Sequence, residues 1–165
     1  MRRILFTLTF FASLIFLSNF THAAVPMVGD KAPDFTLTSV KGEKMALSQH
    51  KGSVVVLGLF HICEPCMNQA TEMQKLLNEG STKAVFVGVN TDGNTKEEIV
   101  DYLGQFQTKI TFPYMVDTAK TVNKMYIQRF MPTVIIIDGD GVIRYRGSTS
   151  PKDKLLSEIK KITQK

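Results

Sequence analysis

Three apolar runs constrain this chain more than any other feature. They are Val54-Val55-Val56-Leu57, Ala84-Val85-Phe86-Val87-Gly88-Val89 and Thr133-Val134-Ile135-Ile136-Ile137. None of them alternates apolar with polar residues. Such runs suit strands buried on both faces, in a parallel or mixed sheet covered by helices. Each is short and bounded by turn residues, which argues against a helix with a buried stripe.

Between the runs the period changes. Thr95-Lys96-Glu97-Glu98 matches a capping box, after which Ile99, Leu103 and Phe106 share one helical face. Residues 34–37 and 44–47 flank a turn at 40–43 and predict an N-terminal hairpin. Ile110-Thr111-Phe112 predicts a short strand ended by Pro113, and Asp117 a cap for a helix reaching about Tyr126. Asp138-Gly139-Asp140-Gly141 is a tight turn, so residues 133–138 and 142–146 should pair as a hairpin. Ser150-Pro151 predicts a cap with proline at the first helical position, and Leu155, Ile159 and Ile162 line one face of the last helix. The predicted order is hairpin, β, α, β, α, short β, α, β, β, α. That order argues a three-layer α/β sandwich, a central mixed β-sheet flanked by helices with an N-terminal β-hairpin extension.

Residues 1–23 read differently. Arg2 and Arg3 precede a mostly apolar stretch over residues 4–17, and Thr21-His22-Ala23 offers small residues for cleavage. This is the order of a secretory signal, cut after about Ala23, leaving residues 24–165 as the domain. The alternative is an uncleaved anchor in the inner membrane, facing the periplasm. Either way the domain faces an oxidising, extracytoplasmic space. The leader holds two of the 20 basic residues and none of the 15 acidic ones, so 18 against 15 remain, a net charge of +3. That ordinary balance does not suggest a nucleic-acid partner. Contact with the membrane is expected only if the leader stays.

The only two cysteines stand in Cys63-Glu64-Pro65-Cys66, after the first buried run and at the start of a predicted helix. Cys66, Ala70, Met73 and Leu77 fall on one stripe, so Cys66 should face the core. Cys63 should sit at the helix N-terminus, where free N–H groups and the helix dipole stabilise a thiolate. The thiolate is the reactive form. One exposed and one buried sulfur make an attacking and resolving pair. Glu64 and Pro65 are the positions that tune it. The Glu64 carboxylate disfavours a neighbouring thiolate, which favours a reductant over an oxidant.

Other chemistries fit less well. A structural disulfide here closes a four-residue loop worth only about 2 kcal/mol. A lone Cys-x-x-Cys offers zinc two ligands of the four it takes, with His61 a distant third option. No metal and no cofactor beyond the Cys63–Cys66 disulfide are expected.

At these residues the chain resembles the TlpA/ResA branch of the thioredoxin superfamily, which includes the DsbE-like proteins of cytochrome c maturation. Val28-Gly29-Asp30-Lys31-Ala32-Pro33-Asp34-Phe35 is similar to the opening of such redoxins, and Cys63-Glu64-Pro65-Cys66 to their active site. Phe130-Met131-Pro132-Thr133 resembles the cis-proline loop that binds substrate backbone. The resemblance implies a thioredoxin-like fold and substrate binding at Met131, Pro132 and Thr133. It further implies a periplasmic thiol–disulfide oxidoreductase that reduces disulfides in exported proteins. Its partners would be protein thiols and disulfides and a membrane-bound electron donor.

The chain also departs from that pattern. Ile62 stands where relatives have Trp, and Gln69 and Thr71 where many have Glu and Pro. Gln69 removes a buried acid that could move the proton of Cys66, and Thr71 should weaken a helix kink. Two alternatives remain. A peroxiredoxin-like peroxidase needs Pro-x-x-x-Thr/Ser-x-x-Cys, but Val56 and Phe60 occupy those places. A copper-handling assembly factor on the same fold would need His61, Met67 or Met131 as a third ligand.

Overall fold

The structure is a computed structural model and describes residues 24–164. The expected leader lies outside the described residues. Seven strands form one mixed sheet: β1 (Thr36–Ser39), β2 (Lys44–Ala46), β3 (Val55–Phe60), β4 (Val85–Asn90), β5 (Tyr114–Val116), β6 (Thr133–Ile137) and β7 (Ile143–Gly147). Four α-helices accompany them: α1 (Glu64–Glu79), α2 (Lys96–Leu103), α3 (Thr121–Tyr126) and α4 (Lys152–Thr163). The spatial order is β2-β1-β5-β4-β3-β6-β7. β3 runs parallel to β4, and β4 parallel to β5; the remaining neighbours are antiparallel. The predicted element order and the sandwich are both observed.

The three apolar runs are the sheet centre. Every residue of β3 and β6 is buried. Val55, Leu57 and Leu59 face a core shared with Val122 and Tyr126 of α3. Val56 and Phe60 face the other core, shared with Cys66, Ala70 and Met73 of α1, Ile99 of α2, and Leu155 and Ile159 of α4. Gly58 and Gly88 are register partners. A Cβ on Gly58 would meet the Phe60 ring at 2.2 Å, and one on Gly88 the Tyr114 ring at 2.9 Å. The paired glycines make room for the stacked rings of Phe60 and Tyr114, 5.8 Å apart.

Several local details differ from the sequence expectations. The short strand follows Pro113 rather than preceding it. Gln74 of α1 accepts the Thr111 N–H at 2.7 Å, and the Pro113 carbonyl accepts the Gly88 N–H, so pairing starts only beyond the proline. α2 ends at Leu103, which leaves Phe106 past the helix. Its ring instead packs edge-on against Tyr102, 5.1 Å away. Pro151 is the N-cap residue of α4 rather than its first helical residue. The Ser150 hydroxyl is engaged with Tyr145 Oη at 2.8 Å and does not cap the helix. Asp117 does cap α3, but from outside its N-cap residue, taking the N–H groups of Thr121 and Val122, each at 2.8 Å. The Thr95–Glu98 capping box is present.

Candidate functional site

β3 ends at Phe60, and the chain reaches the first turn of α1 within four residues. Cys63 is the N-cap residue, extended at φ −158°, with Pro65 in the first turn, where a missing N–H costs nothing. Cys63 is half-buried and Cys66 fully buried, as the helical stripe predicts. Both are free thiols, with their sulfurs 2.7 Å apart. Glu64 and Pro65 are exposed beside them.

Cys66 Sγ accepts the backbone N–H of His61 at 3.3 Å. Burial pushes the Cys66 thiol up to about 12, helped by its hydrogen bond with Cys63; the His61 N–H opposes the rise. Cys66 is therefore a protonated thiol at neutral pH. His61 uses its backbone here, and its imidazole Nδ1 lies 3.8 Å from Asp92 Oδ2.

The Cys63 carbonyl receives two donors. Met67 N–H closes the first helical turn at 3.0 Å, and the hydroxyl of buried Tyr102 on α2 donates at 2.8 Å. Burial raises the Tyr102 hydroxyl well above the ordinary phenol range, so it stays a donor.

The second predicted loop reaches the same end of the sheet. β3 and β6 are antiparallel with Leu59 opposite Thr133. The chain leaving β3 toward Cys63 thus lies beside the chain entering β6 from Met131-Pro132. That bond is cis. Met131 is exposed and Pro132 buried. Thr133 is buried, and its hydroxyl donates to the Phe130 carbonyl, so its side chain shapes the loop from inside. Gln128 joins the two loops, donating to the carbonyls of Leu59 at 3.1 Å and Phe130 at 3.3 Å. The Thr91 hydroxyl lies between Gln128 Oε1 and the Phe60 carbonyl. Ile62, Phe130 and Met131 are exposed apolar residues on these loops, at 39%, 72% and 49%.

Gln69 is fully buried and holds the backbone of Ser150 from both sides. Its amide donates to the Ser150 carbonyl at 2.9 Å and accepts the Ser150 N–H. It serves as a clamp between α1 and the start of α4. Thr71 bonds the Met67 carbonyl at 2.9 Å within an uninterrupted α1. Tyr102, Gln128 and Thr91 carried no sequence signal, because each acts on backbone far away along the chain.

Among the described residues, no group of three or more His, Cys, Asp and Glu side chains is placed to hold a metal. Among them also, no helix is long and apolar enough to cross a membrane.

Comparison with known proteins identifies the chain's relatives. The AhpC/TSA family model matches residues 28–146. The chain is 35% identical to the thioredoxin-like protein YneN of Bacillus subtilis, over 70% of this chain and 68% of that one. It is 30% identical to the thiol-disulfide oxidoreductase ResA of Bacillus thuringiensis subsp. konkukian, over 87% of this chain and 83% of that one. Among solved structures, one assigned as the thiol:disulfide interchange protein DsbE of Chlorobium tepidum superposes with a TM-score of 0.69 at 29% identity. That match covers 81% of this chain and 95% of the other.

Proposed function

Because the chain belongs to the AhpC/TSA family of thioredoxin-like proteins, we propose that it reduces disulfides in exported proteins from outside the cytoplasm. The chain is a thiol–disulfide oxidoreductase of the ResA and DsbE type. Cys63 attacks one sulfur of the substrate disulfide, breaks its S–S bond, expels the first substrate thiol and forms a mixed disulfide with the other half. Cys66 then attacks Cys63, releases the substrate thiol and leaves the Cys63–Cys66 disulfide. A membrane-bound donor returns the two electrons. Met131 and Pro132 present the substrate-binding edge, and Thr133 holds that edge in shape. Apocytochrome c is the substrate class that the ResA and DsbE likeness favours.

One observation carries the roles: Cys63 reaches the surface at a helix N-terminus, whereas Cys66 is buried against it with a thiol held near 12. The reductant direction has its own support in the residue next to Cys63. Strong oxidants have a stabilised reduced form. Here an acidic residue, Glu64, directly follows the attacking Cys63.

Two measurements test the proposal. A Cys66→Ser variant should accumulate mixed disulfides through Cys63; trapping by Cys63→Ser alone would reverse the roles. Equilibration with a redox buffer should give a strongly reducing potential. A value near about −120 mV, that of a strong oxidant, would exclude the reductant direction.

A further inference from the structure

A groove of about 490 Å³ lies across the start of β6 from β3, the strand that leads to the cysteine pair. It sits where β6 begins and β7 ends, since Val134 faces Gly147 in the register. Met27, Ile127 and Phe130 give it apolar walls, and Arg129 and Arg146 bring two guanidinium groups. Among the described residues no carboxylate lines it. Among the described residues, neither arginine has an ion-pair partner. Among the described residues Arg146 donates to carbonyls alone, those of Pro26 at 3.1 Å and Tyr126 at 2.7 Å, with no carboxylate bonded to it. Arg129 is exposed.

The groove is shaped by the loop that shapes the site. Gln128 and Thr133 both bond the Phe130 carbonyl, so the most exposed large apolar residue stands on a held backbone. Ile127 has φ 44°, a left-handed conformation unusual for a β-branched residue. An exposed apolar side chain beside two cations without carboxylate partners offers a passing segment both apolar contact and charge complementarity.

We propose that this groove seats the segment flanking the reactive cysteine of a polypeptide substrate, and that it selects a segment carrying an apolar residue together with a carboxylate. The proposal rests on the oxidoreductase function given above. β6 lies between β3 and β7, so a chain joined to Cys63 and passing Met131 runs toward the groove across strands spaced about 5 Å apart. The carboxylate supplies the charge that Arg129 and Arg146 lack, and the apolar residue covers Phe130. The cysteine chemistry is unchanged: the dithiol gives two electrons, the substrate disulfide is split into two thiols, and the protein becomes the disulfide.

The test uses the full, pre-reduced chain in single turnover. Two synthetic peptides each carry one cysteine blocked as its 2-hydroxyethyl disulfide, with Leu and Glu, or Leu and Gln, within four residues of it. Bis(2-hydroxyethyl) disulfide is the third probe. The Glu peptide should oxidise the protein roughly five- to tenfold faster than the Gln peptide at low ionic strength. That ratio should fall toward one in about 1 M salt, where screening acts over about 3 Å. Arg129→Gln should lower the ratio to about twofold or less.

Equal rates for the two peptides would overturn the proposal, whether the groove is idle, filled by the chain's own N-terminal segment or covered by a second copy. A ratio indifferent to salt and to Arg129→Gln would overturn it as well. If bis(2-hydroxyethyl) disulfide reacts while the ratio is one, the groove assignment alone falls. If none of the three disulfides reacts, the oxidoreductase function falls with it.

Discussion

The Tyr102 hydroxyl donates to the carbonyl oxygen of Cys63 at 2.8 Å, which ties α2 to the residue that starts α1. Cys63 is the half-exposed cysteine, so this bond anchors the backbone that carries its sulfur. Tyr102→Phe keeps the ring and its packing on Phe106 and removes only the donor. The expected loss is about 1 kcal/mol, lowering Tm by roughly 3–5 °C. The rate with bis(2-hydroxyethyl) disulfide should also fall severalfold. A lower Tm with an unaltered rate would make the contact structural only.

Cys66 gives a pH signature. Its thiol is raised from about 9 to about 12, chiefly by burial. An acid whose folded value is raised adds stability that is complete below the unfolded value. That stability is lost as pH climbs toward the folded one. Reduced protein should therefore lose stability from pH 9 upward, by up to about 1.4 kcal/mol per pH unit from this group. Denaturant titrations at pH 8, 9 and 10 should show this slope, and Cys66→Ala should remove it. Iodoacetamide at pH 8 should label Cys63 and spare Cys66, as read by peptide mass.

Gln69 gives a structural contrast. Gln69→Leu preserves size but leaves the N–H and carbonyl of buried Ser150 without partners. The cost should be about 2–4 kcal/mol in urea unfolding. Gln69→Glu keeps the acceptor and can donate to the Ser150 carbonyl only while protonated. Relative to the parent, its stability should be nearest to equal at low pH and fall behind as the carboxyl ionises. A Glu variant as stable as the parent at pH 8 would contradict the clamp.

The elements that the amino-acid order announced are those governed by local rules. Unalternating β-branched runs became β3, β4 and β6, and the Thr95–Glu98 box did cap α2. The i, i+4, i+7 stripe alone buried Cys66 and left Cys63 at the helix start. Pro113 misled because a proline bounds a strand on either side. Only the neighbour Gln74, which takes the Thr111 N–H, decided which side.

What the residues determined by themselves was the sheet, the helices and a cysteine pair split between surface and core. Tertiary structure decided what surrounds that pair. Tyr102 reaches Cys63 across 39 residues, Gln128 reaches Leu59 across 69 and Gln69 reaches Ser150 across 81. Each is a side chain bonding a backbone group, and every residue carries the same backbone. Such a partner leaves no mark in the sequence at the receiving end, and only folding selects which carbonyl or N–H it meets.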